Sequence, residues 1–253
     1  MAKFEIEIYE DPYGRQPFLT WVDRKLTDSQ FMALDAAIKH VLAEQGLNLL
    51  ETNWLKSLGN NLYEFRIRHS AGQILKNISS ELSSKPDRSK ILLRIFVAFP
   101  QGSRILVLHG YDKGSDDSRS KQQKEIATAR ARLSQWKRNE NKAWLTLCVI
   151  THKLQTGEMM KKTWSDYSTA RIAKMSRKDL EFHELLSQQY QIASQILAAR
   201  KQRNLTQLEL AQLSGVQQAD ISRIENGQSF PTTETLAKLL QALQAKVKIE
   251  LVS

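Results

Sequence analysis

Basic and aromatic side chains recur on three predicted strands in the first half of the chain, at residues 62–68, 91–99 and 104–113. Successive side chains of a strand point to opposite faces, so alternate residues share a face. Arg94 interrupts an apolar run, where a buried charge needs a carboxylate or a bound phosphate. The candidate catalytic residues are Arg66, Arg68, Arg94, His109, Tyr111 and Lys113.

This set of side chains fits cleavage of RNA by its own 2′-hydroxyl group. Cations stabilise the charge that builds on the phosphate, and an imidazole or amine moves protons. Tyr111 is placed to stack on a base. The spacing alone leaves a second interpretation open, in which the same residues form a basic, half-solvated sheet face without chemistry.

Composition limits the classes of protein to consider. The 253 residues carry 37 lysines and arginines against 27 acidic residues, and both the first 145 residues and the remainder are basic. A polyanionic partner is therefore plausible for each part, beside an ordinary surface excess of lysine. The length suggests two domains. A single cysteine and five scattered histidines predict no metal site, and no cofactor is expected.

The sequence favours the cytoplasm over the membrane or the cell exterior. No apolar run approaches the roughly 18–20 residues that a membrane span requires. Residues 1–7 alternate between charged and apolar types, unlike a secretory signal. Cys148 is alone and cannot form an internal disulfide.

The first 140 residues mix helix and strand patterns. Residues 18–45 have a helical pattern that includes a capping box from Thr27 to Gln30, and a last helix covers residues 121–137. The strands lie between these helices, interrupted by a polar insertion at residues 79–87. This order predicts an α+β fold.

A helix-turn-helix pattern lies in the C-terminal part, which is predicted to be helical until a short strand at residues 246–252. Thr206 and Glu209 have capping-box spacing. Gly215 falls in the tight turn, Val216 fills it, and Gly227 ends the next helix. The residues predicted to face inward are Leu210, Ala211, Leu213, Ile221, Ile224, Leu236, Leu239, Leu240 and Leu243, the last four in a helix capped by Thr232 or Thr233.

The second helix of this pattern, at residues 217–226, exposes polar side chains that suit DNA. Glutamine amides pair with adenine edges, and arginine pairs with guanine or a phosphate. A generic helical cluster with a solvated polar face is the alternative. The predicted DNA-binding residues are Lys201, Gln207, Gln217, Gln218, Asp220, Ser222 and Arg223.

Residues 190–245 closely resemble the XRE-type helix-turn-helix. Together with the preceding helices and the trailing strand, the region is similar to HigA-type antitoxins. The resemblance implies operator DNA as a partner and a homodimer on a palindromic site.

Residues 3–137 resemble the phage-derived branch of the RelE/HigB-like toxin superfamily. The segments that carry this resemblance are LYEFRIR at 62–68, LRIF at 93–96, VLHGYDKG at 107–114 and KEI at 124–126. The resemblance implies a RelE-like sheet-and-helix domain that cleaves mRNA on the ribosome without a metal. It assigns that activity to Arg66, Arg68, Arg94 and Lys113.

Two hypotheses from different classes follow. The first is a toxin–antitoxin fusion with a toxin domain at 1–140, a linker at 141–162 and an antitoxin at 163–253. The helical segment 164–191 would inhibit the nuclease, within the chain or between protomers, helped by the high local concentration that a tether provides.

The second hypothesis is a transcriptional repressor whose toxin-like domain is inactive and serves assembly or sensing. Gly114, Asp116 and Asp117 favour it, because they stand where the commoner toxin pattern has basic residues. A third interpretation, the read-through of two adjacent genes, keeps the two activities on separate proteins in the cell.

Overall fold

In the computed structural model of the protein, residues 4–70, 90–146 and 163–246 are described. The predictions of a surface insertion at 79–87, a linker beyond residue 146 and a strand beyond residue 246 lie outside these residues, as does Cys148. No helix in the described ranges is long and apolar enough to cross a membrane.

Five strands form one mixed sheet within the described residues, in the order β1-β5-β4-β3-β2. β1 runs parallel to β5, and the other neighbours are antiparallel. The strands are β1 (Glu5–Ile8), β2 (Leu55–Ser57), β3 (Tyr63–Ser70), β4 (Lys90–Ala98) and β5 (Arg104–Asp112). The central three were predicted from alternation and apolar runs, whereas β1 and β2 were not, although residues 4–8 alternate in the same way.

Helices flank the sheet and make up the C-terminal part. Their bounds are α1 (Pro17–Lys25), α2 (Asp28–Ala37), α3 (Arg119–Thr146), α4 (Trp164–Ile172), α5 (Arg177–Gln202), α6 (Gln207–Ser214), α7 (Gln218–Glu225) and α8 (Thr233–Leu243). α2 continues through a π-helical turn, Ile38–Leu42, and a 3₁₀ turn, Gly46–Glu51. The chain is therefore a mixed α+β protein with a helical C-terminal region, as predicted.

The predicted helical stretch 18–45 is divided at Thr27. The predicted capping box is confirmed: the Thr27 hydroxyl accepts the Gln30 backbone N–H, and the Gln30 side chain accepts the Thr27 N–H. Thr27 has extended backbone, so it begins a new helix after α1. α3 is longer than predicted and extends to Thr146, six residues into the predicted linker.

The two faces of the sheet bury different cores. One face packs against α1 and α2 and also against α4 and α5, so that Trp164, Leu186 and Tyr190 join the same core as Phe65 and Ile95. The other face packs against α3 through Phe96, Leu108, Tyr111, Ala129 and Leu133. The helices predicted to form an inhibitory segment therefore complete the core of the sheet domain, defined here as the sheet with α1, α2 and α3.

Asp35 on α2 joins the sheet domain to α4 and α5. Its buried carboxylate accepts hydrogen bonds from the Trp164 indole at 3.0 Å and from His183 at 2.8 Å, and it pairs with Lys39 at 2.9 Å. Burial acts to raise the pKa of Asp35, but the His183 and Lys39 interactions outweigh it and lower that pKa. Asp35 thus stays ionised inside a contact between the two parts of the chain.

Candidate nucleic-acid interfaces

Helices α6 and α7 have the predicted local geometry. Thr206 and Glu209 form the predicted capping box at the start of α6. Gly215 adopts φ 69° and Gly227 φ 62°, left-handed conformations that favour glycine, and they follow α6 and α7 respectively. Val216 is buried in the turn between the helices. The two helices are therefore held as a compact pair.

Most residues predicted to face inward do so, Ala211 and Leu236 being partly buried, whereas Leu240 is half-buried outside this cluster and Leu213 is exposed. Ile196 from α5 packs with the buried side chains Leu210, Val216, Ile221, Ile224, Leu239 and Leu243. Leu213 is 61% exposed, so its predicted inward orientation is wrong. α6 has only eight residues, and Leu210 alone is fully buried on it; Leu213 instead borders a shallow groove toward α8.

A buried ion pair fixes α7 to α5. Arg200 donates to both carboxylate oxygens of Glu225, at 2.6 and 2.9 Å, and to the Leu205 carbonyl at 2.6 Å. Gln207 donates to the same carboxylate at 2.8 Å. Glu225 was not among the predicted residues; its signal in the sequence is a carboxylate within the otherwise apolar inner face of α7.

Most of the predicted DNA-binding residues lie on or next to α7. Two of them, Gln218 and Arg223, are held by other side chains of the protein. Gln217, Gln218 and Arg223 are exposed. The Gln218 amide donates to Gln207 at 3.0 Å, which orients it at the start of α7. Arg223 pairs with Asp220 on the same helix.

The other four predicted residues, Lys201, Gln207, Asp220 and Ser222, are half-buried. The Ser222 hydroxyl accepts a hydrogen bond from Asn226. Lys201 lies at the end of α5 and donates to Glu51 of the sheet domain at 2.5 Å. Its ammonium is therefore already paired with an anion.

The sheet domain contacts the end of α7 directly. The Trp54 indole donates to the Glu225 carbonyl at 2.9 Å, and its ring stacks on Phe65 and meets Tyr190 edge-on. Gln189 donates to the Gly227 carbonyl at 2.7 Å. A Cβ atom at Gly227 would collide with the Tyr190 ring. The orientation of α7 is thus tied to the sheet domain.

The second candidate site is a row across the sheet. Arg66, Arg94 and Tyr111 are paired in register on β3, β4 and β5, so their side chains share the face covered by α3. We call these three residues the basic row. Arg68 and Lys113 flank Leu92 in the next row on that face, where Arg68 is exposed and Lys113 is half-buried.

A buried carboxylate lies beside both arginines of the basic row and offsets one of their two positive charges. Glu64 is fully buried and lies 2.7 Å from Arg66 and 3.9 Å from Arg94, and it accepts from Gln122 of α3 at 3.0 Å. Burial lowers the pKa of Arg94, and Glu64 opposes that change. Arg94, which was predicted to need a carboxylate or a phosphate, therefore has a carboxylate of the chain beside it. Glu64 was not predicted as this partner.

His109 and Tyr111 are enclosed between the sheet and α3. Arg132 donates to His109 Nδ1 at 2.9 Å, so Nε2 carries the ring proton and donates to Glu125. Burial lowers the pKa of His109 despite the Glu125 carboxylate, which keeps the ring neutral. Burial raises the pKa of Tyr111 to about 12. The Tyr111 hydroxyl has no hydrogen-bond partner among the described residues.

Comparisons with known proteins match the C-terminal part. Residues 196–248 match the helix-turn-helix family. A stretch of 58 residues is 41% identical to an uncharacterized HTH-type transcriptional regulator of Haemophilus influenzae. That match covers 23% of this chain and 59% of the relative. No solved structure matches the chain significantly.

The family match and the geometry of α6 and α7 agree on a helix-turn-helix domain at residues 196–248. The family match does not extend over the sheet domain, so the resemblance of that domain to RelE/HigB-like toxins stays a prediction. Within the described residues no group of three or more His, Cys, Asp or Glu side chains is arranged to hold a metal ion.

Proposed function

We propose that this protein is a cytoplasmic transcription regulator that binds operator DNA through α7 and represses its own operon, as a homodimer on a palindromic site. The observation that carries this proposal is the exposed start of α7, where Gln207 orients Gln218 at 3.0 Å. Glutamine at this end of a recognition helix pairs with adenine in the major groove. The similarity to a transcriptional regulator supports the same function.

The sheet domain would serve assembly or sensing in this regulator. Three of its candidate catalytic groups are engaged with neighbours: Arg66 and Arg94 share the Glu64 carboxylate, and His109 is held between Arg132 and Glu125. A general base must be free to accept a proton, and His109 is not. Trp54 connects this domain to α7 and gives it a route to influence DNA binding.

The Gln218→Ala variant tests the role of α7. We expect the wild-type chain to select a duplex from a random-sequence pool. The variant should bind that duplex more weakly by about 1–3 kcal/mol, roughly 5- to 150-fold, because one base contact is lost. Fluorescence anisotropy with the labelled duplex measures the affinity.

Gln241→Ala is the matched control, since Gln241 is an exposed glutamine on α8. It should bind like wild type. Failure of the wild-type chain to select any duplex would contradict DNA binding, and equal losses in both variants would show that α7 is not the reading helix.

A second candidate function is that of a toxin–antitoxin fusion with a ribosome-dependent endoribonuclease. Two cations at one end of the sheet face that carries the basic row favour it. Arg68 and Lys113 lie next to the basic row and are open to a phosphate. α4 and α5 pack on the opposite face of the sheet, so they do not cover this end. Inhibition by the antitoxin part would then act at a distance from the candidate active site.

The nuclease hypothesis predicts cleavage of mRNA on translating ribosomes. A chain with a protease site inserted between residues 150 and 160 should cleave mRNA after protease treatment. The Arg68→Ala/Lys113→Ala variant should reduce that rate about 100-fold, because it loses cations that stabilise the transition state. Lys124→Ala removes an exposed cation of α3 and is the control. Absence of cleavage in the nicked wild-type chain would exclude this function.

A further inference from the structure

A groove of about 460 Å³ lies where the sheet domain meets the helix-turn-helix domain. Its lining includes Glu51 from the 3₁₀ turn, Lys201 from α5, and Thr206 and Gln207 from the start of α6. Gln207 contacts both Glu225 and Gln218 of α7. The groove is therefore next to the side chains that are proposed to read DNA.

An ion pair between the two domains crosses this groove. Lys201 Nζ lies 2.5 Å from Glu51 Oε2, and this hydrogen bond lowers the pKa of Glu51. The Lys201 side chain is 22% exposed, whereas that of Glu51 is 83% exposed. The exposed carboxylate therefore lies beside the less exposed ammonium, in a groove next to the side chains that are proposed to read DNA.

The position of Glu51 is supported by buried contacts. Trp54, three residues further along the chain, is anchored to the Glu225 carbonyl of α7. Gln45, at the other end of the 3₁₀ turn, donates to the Ser194 hydroxyl of α5 at 2.9 Å. The segment that carries Glu51 is consequently fixed to α5 at one end and to α7 at the other.

We propose that Glu51 competes with a DNA phosphate for Lys201, so that the sheet domain restrains DNA binding by the helix-turn-helix domain. The proposal rests on the proposed DNA-binding function and adds a regulatory contact to it. A carboxylate and a phosphate bind the same ammonium, and a second anion beside the backbone repels it. Exposed ion pairs are weak, so DNA displaces Glu51 rather than being excluded by it.

The Glu51→Gln variant tests this competition in the full-length chain. Glu51 is exposed, so the substitution leaves the packing unchanged. We expect about three- to fivefold tighter binding of the wild-type-selected duplex at low salt. The dependence of log K on log salt concentration should change by less than about 0.9, the contribution of one phosphate contact, because Lys201 pairs with the phosphate in both complexes. The gain should vanish in a Lys201→Gln background.

Glu181→Gln is the matched control, since Glu181 is half-exposed and pairs with Arg177 on the same helix. It changes the net charge equally and should leave affinity unchanged. Equal gains in DNA affinity in both variants would show that only the net charge of the protein matters, and this would overturn the proposal. The competition proposal would also be overturned if Glu51→Gln bound DNA with unchanged affinity, or if its gain in affinity persisted in the Lys201→Gln background. The DNA-binding function would still stand in those cases, provided that the wild-type chain binds its selected duplex. If the wild-type chain selects no DNA, both proposals fail.

Discussion

The Arg200→Ala variant is expected to lose about 3–5 kcal/mol of stability in the helix-turn-helix domain, because it leaves the buried Glu225 carboxylate without its cation. Both side chains of this pair are less than a tenth exposed, and Arg200 also donates to the Leu205 carbonyl. Such a loss is comparable with the whole stability of a small domain. Urea denaturation followed by circular dichroism measures it, and DNA binding should disappear with the fold.

Arg177→Ala provides the comparison for Arg200→Ala. Arg177 is 94% exposed and pairs with Glu181 one helical turn away, so its removal should change the free energy of unfolding by less than about 0.5 kcal/mol. An Arg200→Ala variant that unfolds within 1 kcal/mol of wild type would show that Glu225 is satisfied in another way.

The Trp164→Ala variant is expected to destabilise the whole protein by about 3–5 kcal/mol, since it removes a buried aromatic ring. Trp164 packs against Phe18, Phe31 and Tyr167 and donates to Asp35. Because α4, α5 and the sheet share one core, unfolding should remain a single transition shifted to lower denaturant concentration. Chemical denaturation followed by both tryptophan fluorescence and circular dichroism checks this.

Trp164→Phe separates packing from the indole hydrogen bond. It keeps most of the aromatic volume, and Asp35 retains His183 and Lys39, so the loss should be smaller than for Trp164→Ala. In the wild-type chain, a transition of α4 and α5 that is separate from the transition of the sheet would contradict a shared core. A separate transition of the helix-turn-helix domain, which has its own core, would not.

The helix-turn-helix domain was predictable because its determinants are local. Capping boxes, the left-handed turn at Gly215 and the spacing of Ile221 and Ile224 all fall within about twenty consecutive residues. The inward orientation predicted for Leu213 was wrong, because the sequence of a short helix does not show which of its apolar side chains face the core. The pairing of Arg200 with Glu225 spans two helices and was not visible as a pattern.

The contacts between distant segments were less predictable. Alternation correctly placed Arg66 and Arg68 on one face of β3, but it did not show that Glu64 would neutralise Arg94 across the strands. The helices after the linker were interpreted as a separate antitoxin domain. Nothing local in Trp164 or Tyr190 indicates that each side chain packs into the core of the sheet domain.

The most direct test of DNA reading by α7 is the binding of the wild-type chain and Gln218→Ala to every single-base-pair variant of the selected duplex. We expect the wild-type chain to lose about 1–3 kcal/mol at one adenine-containing position, where the Gln218→Ala variant no longer distinguishes the bases. If the variant keeps the wild-type profile at all positions and is only uniformly weaker, Gln218 does not read a base and the account of α7 is wrong.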